Sequence, residues 1–301
     1  MSHVLARKGV LEGSSLALFL ALVHTANDGV TAILGALLPT LQERLDLGPT
    51  LLAIIVAAFW IASSLLQPFF GALAEQVGPR TIGALGVVSA ALFLSLVGVA
   101  PSLWVVFALI ILGGMGSAAL HPVGTAIAGG SYSHNRALGV GLFTAGGMVG
   151  FALGPLLILA LVSKYGIEAT PWLMVPGLLL GALVYVVLPR YEPHPRKPVR
   201  GLVGTNLIRG PIGLLAVAGG FTSVAFVTFT SSVPLWLVQE QGYEADAALI
   251  GWTLAVFAFA AGVSSLIGGV IEFRIGRQNL IVGSLLLTAV PLFAFLRLEP
   301  G

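Results

Sequence analysis

The stretch His24–Gly29 reads HTANDG and places an imidazole, an amide and a carboxylate inside an apolar run from Ser15 to Leu38. His24 and Asp28 are four residues apart, so a helix brings them to one face, which Asn27, Thr31 and Gly35 extend. Further along, Gly113, Ser117 and His121 repeat at the same spacing, with Pro122 directly after. The chemistry open to such groups is proton exchange. Imidazole titrates near neutral pH, and an ionisable group deep in an apolar segment costs several kcal/mol unless it meets a cavity or a partner. Two readings of His24 and Asp28 stand: a proton-coupling pair, or a packing hydrogen bond that never titrates. His121 either touches substrate or proton from a cavity wall or packs and caps ahead of Pro122. Two imidazoles and a carboxylate also suit zinc. That set needs two separate segments to face each other, and no metal or other cofactor is expected.

The elements that must position these groups are membrane helices. Apolar residues make up 57 % of the 301-residue chain and charged residues 9 %, against about a quarter charged in soluble domains. Apolar windows of about 20 residues, the length that crosses a bilayer core, recur throughout. In lipid each must satisfy its own backbone, so each is a helix. Nine spans are expected: Ser15–Leu38, Pro49–Leu73, Thr81–Val99, Ser102–Gly129, Ala137–Ser163, Pro171–Leu188, Pro211–Val238, Ala247–Ile271 and Leu280–Leu298. Proline opens several of them, where its missing N–H is no loss. Gln67-Pro68 is expected to bend the second span and re-satisfy its freed backbone. Asp28 is the single acid inside any of these spans away from their ends. The chain has no cysteine, which excludes disulfides and thiolate metal sites. No small-residue cleavage site follows the first run, so it is expected to be a retained helix.

Lys and Arg set the orientation. With a cytoplasmic N-terminus, the inner segments hold Arg7, Lys8, Arg80, Arg136, Arg190, Arg196, Lys197, Arg200, Arg209, Arg274 and Arg277; the outer ones hold only Arg44, Lys164 and Arg297. The longest connection, with PRYEPHPRKPVRG, lies between spans six and seven and reads as a cytoplasmic linker. GALAEQVGPR after span two has a counterpart, GVIEFRIGRQ, after span eight. Gly71 and Gly269 are 198 residues apart, as are Gly78 and Gly276. A repeat of that length implies a parallel six-plus-six architecture. The expected domains are therefore a six-helix bundle at 1–189, a linker at 190–210 and a partial three-helix bundle at 211–301. Nine helices of an expected twelve make the chain look truncated or a fragment.

The Gly71–Arg80 loop, with Gly71, Glu75, Gly78 and Arg80, resembles that of the major facilitator superfamily. HTANDGVTAILGALLPTL in span one, SSLLQPFFGALAE in span two, GMGSAALHPVG in span four and GLFTAGGMVGFALGPLL in span five further resemble the fosmidomycin-resistance family of bacterial efflux carriers. The resemblance implies an all-α, multi-pass inner-membrane antiporter that exports a small toxic molecule against entering protons. Its partners would be that molecule, protons and lipids, with no nucleic acid. The family loop usually has Asp where Glu75 stands, and basic residues near Gln76 and Pro79 that are missing here. In the second copy the acidic position is Phe273, with Glu272 one residue away. The stripe Gly146, Gly150, Gly154, followed by Pro155, reads as close helix packing, and the resemblance adds an antiporter hinge or seal.

These residues point to a proton-coupled exporter. Asp28 and His24 are expected to carry the coupling, and Asn27, Thr31 and His121 to line the substrate cavity. Glu75 is expected to pair with a helix end or with Arg136 in one state and to part from it in the other. A non-transporting remnant and a membrane-embedded enzyme using His24, Asp28 and His121 are the alternatives. Neither H-E-x-x-H nor G-x-S-x-G occurs to support an enzyme.

Overall fold

A computed structural model describes residues 10–132, 136–189 and 210–295. The basic linker residues Arg190 to Arg209, and Arg7, Lys8 and Arg297, lie outside them. The described residues are helical and include no strand. The helices are α1 (Gly13–Thr31), α2 (Ile33–Leu45), α3 (Pro49–Leu65), α4 (Gln67–Val77), α5 (Pro79–Ser95), α6 (Leu103–Gly130), α7 (Arg136–Tyr165), α8 (Met174–Val187), α9 (Pro211–Gln239), α10 (Ala248–Ile275) and α11 (Arg277–Phe295). Eight segments are long and apolar enough to cross a membrane, and Gln278–Val290 is a shorter ninth.

Several spans are longer or more broken than their apolar runs suggest. The first continues to Leu45 and is interrupted at Ala32, so α1 and α2 make one span of 33 residues. Pro39 inside α2 offers no N–H to Gly35. Arg44, polar enough to look like a loop residue, lies inside α2 and donates to the Gly98 carbonyl. The second span breaks at Leu66, beside the expected Gln67-Pro68 bend. There Pro68 has no N–H to offer the Ser64 carbonyl, and Gln67 Nε2 donates to the neighbouring Ser63 carbonyl at 3.1 Å. The sixth span begins earlier than Pro171, in a 3-10 turn over Ile167–Leu173 that leads into α8.

Small residues decide which helices touch. In lipid no hydrophobic force drives helices together, so close van der Waals packing must. The α7 stripe Gly146, Gly150, Gly154 lies on the backbone of Ala21, Thr25 and Gly29 of α1, where any Cβ on α7 would meet main-chain atoms. Thr25 Oγ1 donates to the Gly146 carbonyl at 2.8 Å across this contact. Gly86 and Gly116 bring α5 and α6 equally close, and Gly71 rests on the Pro122 ring.

These contacts give the directions of the helices. Residues 21, 25 and 29 match 146, 150 and 154, so α1 and α7 are parallel. Ala62 and Gly71 match Gly114 and Pro122, so α3–α4 run parallel to α6. Gly124 meets Phe143, and Gly262 and Gly251 meet Met148 and Leu156, so α6 and α10 both run against α7. Spans two and eight therefore run the same way, as a parallel repeat requires. Both end in a one-residue turn on a left-handed glycine: Gly78 at φ 108° and Gly276 at φ 80°.

Candidate functional site

Three elements bring the polar residues together. α1 presents His24, Asn27, Asp28 and Thr31, and all four are buried. α6 crosses it antiparallel, so Ser117 and His121 face Asn27 and His24. α7 supplies no charge but makes the room. A Cβ on Gly147 would lie 2.6 Å from Asp28 Oδ2 and from the His24 ring. One turn before it, Phe143 stacks on His24 with centroids 3.9 Å apart. The facing of α1 and α6, which sequence spacing could not supply, follows from α7 holding one side of α1 through its glycines.

The result is a triad. His24 Nε2 lies 3.0 Å from Asp28 Oδ2, His121 Nε2 lies 3.7 Å from Asp28 Oδ1, and the two Nε2 atoms are 3.1 Å apart. The other ring nitrogens fix the hydrogens. His24 Nδ1 is 2.6 Å from the Phe143 carbonyl and His121 Nδ1 is 2.7 Å from the Ser117 carbonyl. A carbonyl only accepts, so the hydrogen-bond network assigns a hydrogen to each Nδ1. Two neutral rings would then aim lone pairs at each other and at a carboxylate. Acceptors at such distances repel unless a hydrogen or a cation sits among them.

Asn27 Nδ2 donates to Asp28 Oδ1 at 3.0 Å and to Ser117 Oγ at 3.1 Å. Its Oδ1 is buried and accepts nothing. Thr31 returns its hydroxyl to the Asp28 carbonyl at 3.0 Å, and its span is interrupted at the next residue. A cavity of about 20 Å³ opens there, lined by Thr31, Trp60, Phe151, Pro155, Thr230 and Ser231 among others. Thr230 lines it while bonding back to the Phe226 carbonyl at 2.9 Å.

His24, Asp28 and His121 are also the group among the described residues whose ligand atoms could hold a metal ion. Such an ion would compete with a proton for the same lone pairs.

The loop residues are apart from this site. Glu75 is exposed and makes no ion pair with Arg136, so the two are separate here. Arg80 instead lies over the Tyr185 ring, 3.9 Å from its centroid, and Arg136 packs its stem against Gly129. The side chains of Glu272 and Phe273 lie outside the described part. Spacing in the sequence did not single out Phe143 or Gly147. The doubled glycine Gly146-Gly147 was their signal: adjacent glycines face two different neighbours on a helix, here the α1 backbone and the triad.

Comparison with known proteins agrees with this architecture. Residues 20–301 match the family model of the Major Facilitator Superfamily. The fosmidomycin resistance protein of Escherichia coli (strain K12) is 27 % identical over 277 residues, covering 89 % of this chain and 67 % of that protein. The class C tetracycline resistance protein of Escherichia coli is 26 % identical over 239 residues, covering 77 % and 60 %. Among solved structures, a bacterial homologue of the human lysosomal transporter Spinster, inward-facing and unoccupied, aligns with a TM-score of 0.66 at 16 % identity, covering 87 % of this chain and 63 % of that one. The chain thus spans about two thirds or less of the length of these relatives. With a match over nearly its whole length, this multi-pass membrane chain belongs to the Major Facilitator Superfamily of transporters.

Proposed function

We propose that the protein works in proton-driven export of a small molecule across the bacterial inner membrane, with its N-terminus at the cytoplasmic face. Its helices would divide into a bundle at 1–189 and a second, partial one at 211–301 joined by the linker at 190–210. Asp28 carries the proton, and His24 and His121 share it. The observation that carries this reading is the pair of Nε2 atoms 3.1 Å apart with both Nδ1 positions committed to carbonyls. That arrangement is comfortable with a shared proton and strained without one. The names of the curated relatives favour a drug as cargo. The depth of the site favours alternating access, since a carrier's site must be reachable from both sides and lies near the midplane. Gly71, Glu75, Gly78, Arg80 and Arg136 form the gate at the basic end. Their separation here suits a state open at that end.

Transport by purified protein in vesicles tests the coupling. Asp28→Asn keeps the hydrogen-bonding shape and cannot titrate, so uphill transport is expected to fail. His24→Gln leaves two members of the triad and is expected to shift the pH dependence of transport without abolishing it. Uphill transport by Asp28→Asn with unchanged dependence on the proton gradient would overturn the proposal.

A further inference from the structure

Three pairs of acceptors meet in the triad, and a single proton bridges one pair at a time. His24 Nε2 lies 3.0 Å from Asp28 Oδ2, His121 Nε2 lies 3.7 Å from Asp28 Oδ1, and the two Nε2 atoms are 3.1 Å apart. A metal ion satisfies all of them at once, because it sits at the point that the two nitrogens and the carboxylate surround. Zinc binds imidazole nitrogen and carboxylate oxygen at about 2.0–2.2 Å in a tetrahedron, which sets neighbouring ligand atoms about 3.3 Å apart. The three separations bracket that spacing. The imidazole planes stand at 89° with centroids 4.8 Å apart, so both rings turn a nitrogen to one space without overlapping.

The surroundings hold what a metal centre needs beyond its ligands. A metal-bound histidine almost always donates its other ring N–H to a carbonyl, a carboxylate or water, which fixes the tautomer. His24 Nδ1 meets the Phe143 carbonyl at 2.6 Å and His121 Nδ1 the Ser117 carbonyl at 2.7 Å. The carboxylate is held as well, by Asn27 Nδ2 on Oδ1 at 3.0 Å. Entry is open on one member: the His121 side chain is 26 % exposed, against 6 % for His24 and 5 % for Asp28. Three protein ligands leave a fourth tetrahedral position for water. Two nitrogens and one carboxylate favour zinc, cobalt or nickel, whereas magnesium and calcium favour oxygen throughout. The facing of two separate segments, which this set needs, is supplied by α1 and α6.

We infer that His24 Nε2, His121 Nε2 and the Asp28 carboxylate form a binding site for a divalent transition-metal ion of the zinc class, which bridges α1 and α6. The inference goes beyond the transport reading, and the binding it asserts needs neither a proton gradient nor a cargo.

The test is equilibrium binding to the purified full chain, made without a histidine tag and stripped with a chelator. Cobalt serves as the coloured probe and zinc as its competitor. Four-coordinate cobalt absorbs strongly in the visible and six-coordinate cobalt weakly. The parent is expected to give the strong spectrum, bleached by zinc and unaffected by excess magnesium or calcium. His121→Gln and Asp28→Asn are each expected to weaken zinc binding at least about tenfold, since even the partners behind metal ligands are worth about 10–100-fold. The other histidines, His3, His134 and His194, lie outside the described residues. The triple variant His3→Gln, His134→Gln, His194→Gln is expected to bind cobalt and zinc as the parent does. The inference fails if the parent gives no four-coordinate spectrum or if the triple variant loses it, which would mean adventitious binding at those histidines. It fails equally if His121→Gln, unchanged in size-exclusion profile, binds zinc like the parent. Parent and triple variant decide the matter even where His121→Gln does not fold. Failure here leaves proton coupling standing, and failure of coupling in Asp28→Asn leaves the metal-binding result of the parent standing.

Discussion

At the scale of residues, the site depends on one atom that is missing. Gly147 has no Cβ, and the space is filled by Asp28 Oδ2 and the His24 ring. Gly147→Ala would press a methyl group on both. Overpacking of this kind costs about 1–3 kcal/mol, which a bundle this size survives, but the triad cannot keep its distances. Transport measured in vesicles is expected to lose its gradient dependence while the variant still purifies as a folded protein. Wild-type coupling in Gly147→Ala would show that the triad geometry is not needed. His24, Asp28, Asn27 and Thr31 were legible beforehand because a four-residue spacing puts them on one helix face and because acids are costly in lipid. The partnership with His121 was not legible. Its spacing fixed a face of α6 but not the neighbour of that face, and Phe143, though buried, is indistinguishable in sequence from a lipid-facing ring.

At the scale of elements, glycines and prolines set what the apolar runs leave open. Gly78 and Gly276 each make a one-residue turn between helices at positive φ. A residue with a Cβ there is strained by about 1–3 kcal/mol. Gly78→Ala and Gly276→Ala should therefore lower the thermal unfolding midpoint alike if the turns are equivalent copies. A drop for one and none for the other would break the equivalence. The two like glycine turns were legible from the 198-residue spacing of Gly78 and Gly276. Helix breaks were less so. Gln67-Pro68 announced the bend at Leu66, since proline cannot donate to the Ser64 carbonyl and Gln67 caps the Ser63 carbonyl beside it. Nothing comparable marks Ala32, where the break falls seven residues before Pro39. The extension of the first span to Leu45 was hidden by Gln42, Glu43 and Arg44, polar residues that end an apolar run without ending a helix.

At the scale of the whole molecule, the two sides of the structure meet at the end opposite the Gly71–Arg80 turn. Gln239 of α9 donates to Gln42 of α2 at 2.6 Å, and Gly251 of α10 packs on Leu156 of α7. Glu75, Arg80 and Arg136, at the basic end, form no bond across it. The chain has no cysteine of its own, so Gln42→Cys with Gln239→Cys places two thiols at this contact, which a cleavable bifunctional thiol reagent can bridge. Bridging is expected to arrest transport and cleavage of the bridge to restore it; transport unaffected by the bridge would mean that this end need not open. All these motions serve one claim, that a proton held among Asp28, His24 and His121 drives the cycle. Its most direct test is Asp28→Asn in proteoliposomes, with uphill transport under an imposed proton gradient measured beside gradient-free exchange of labelled substrate. The account predicts that uphill transport is lost and exchange persists. Uphill transport at the parent's rate and with the parent's gradient dependence would contradict it.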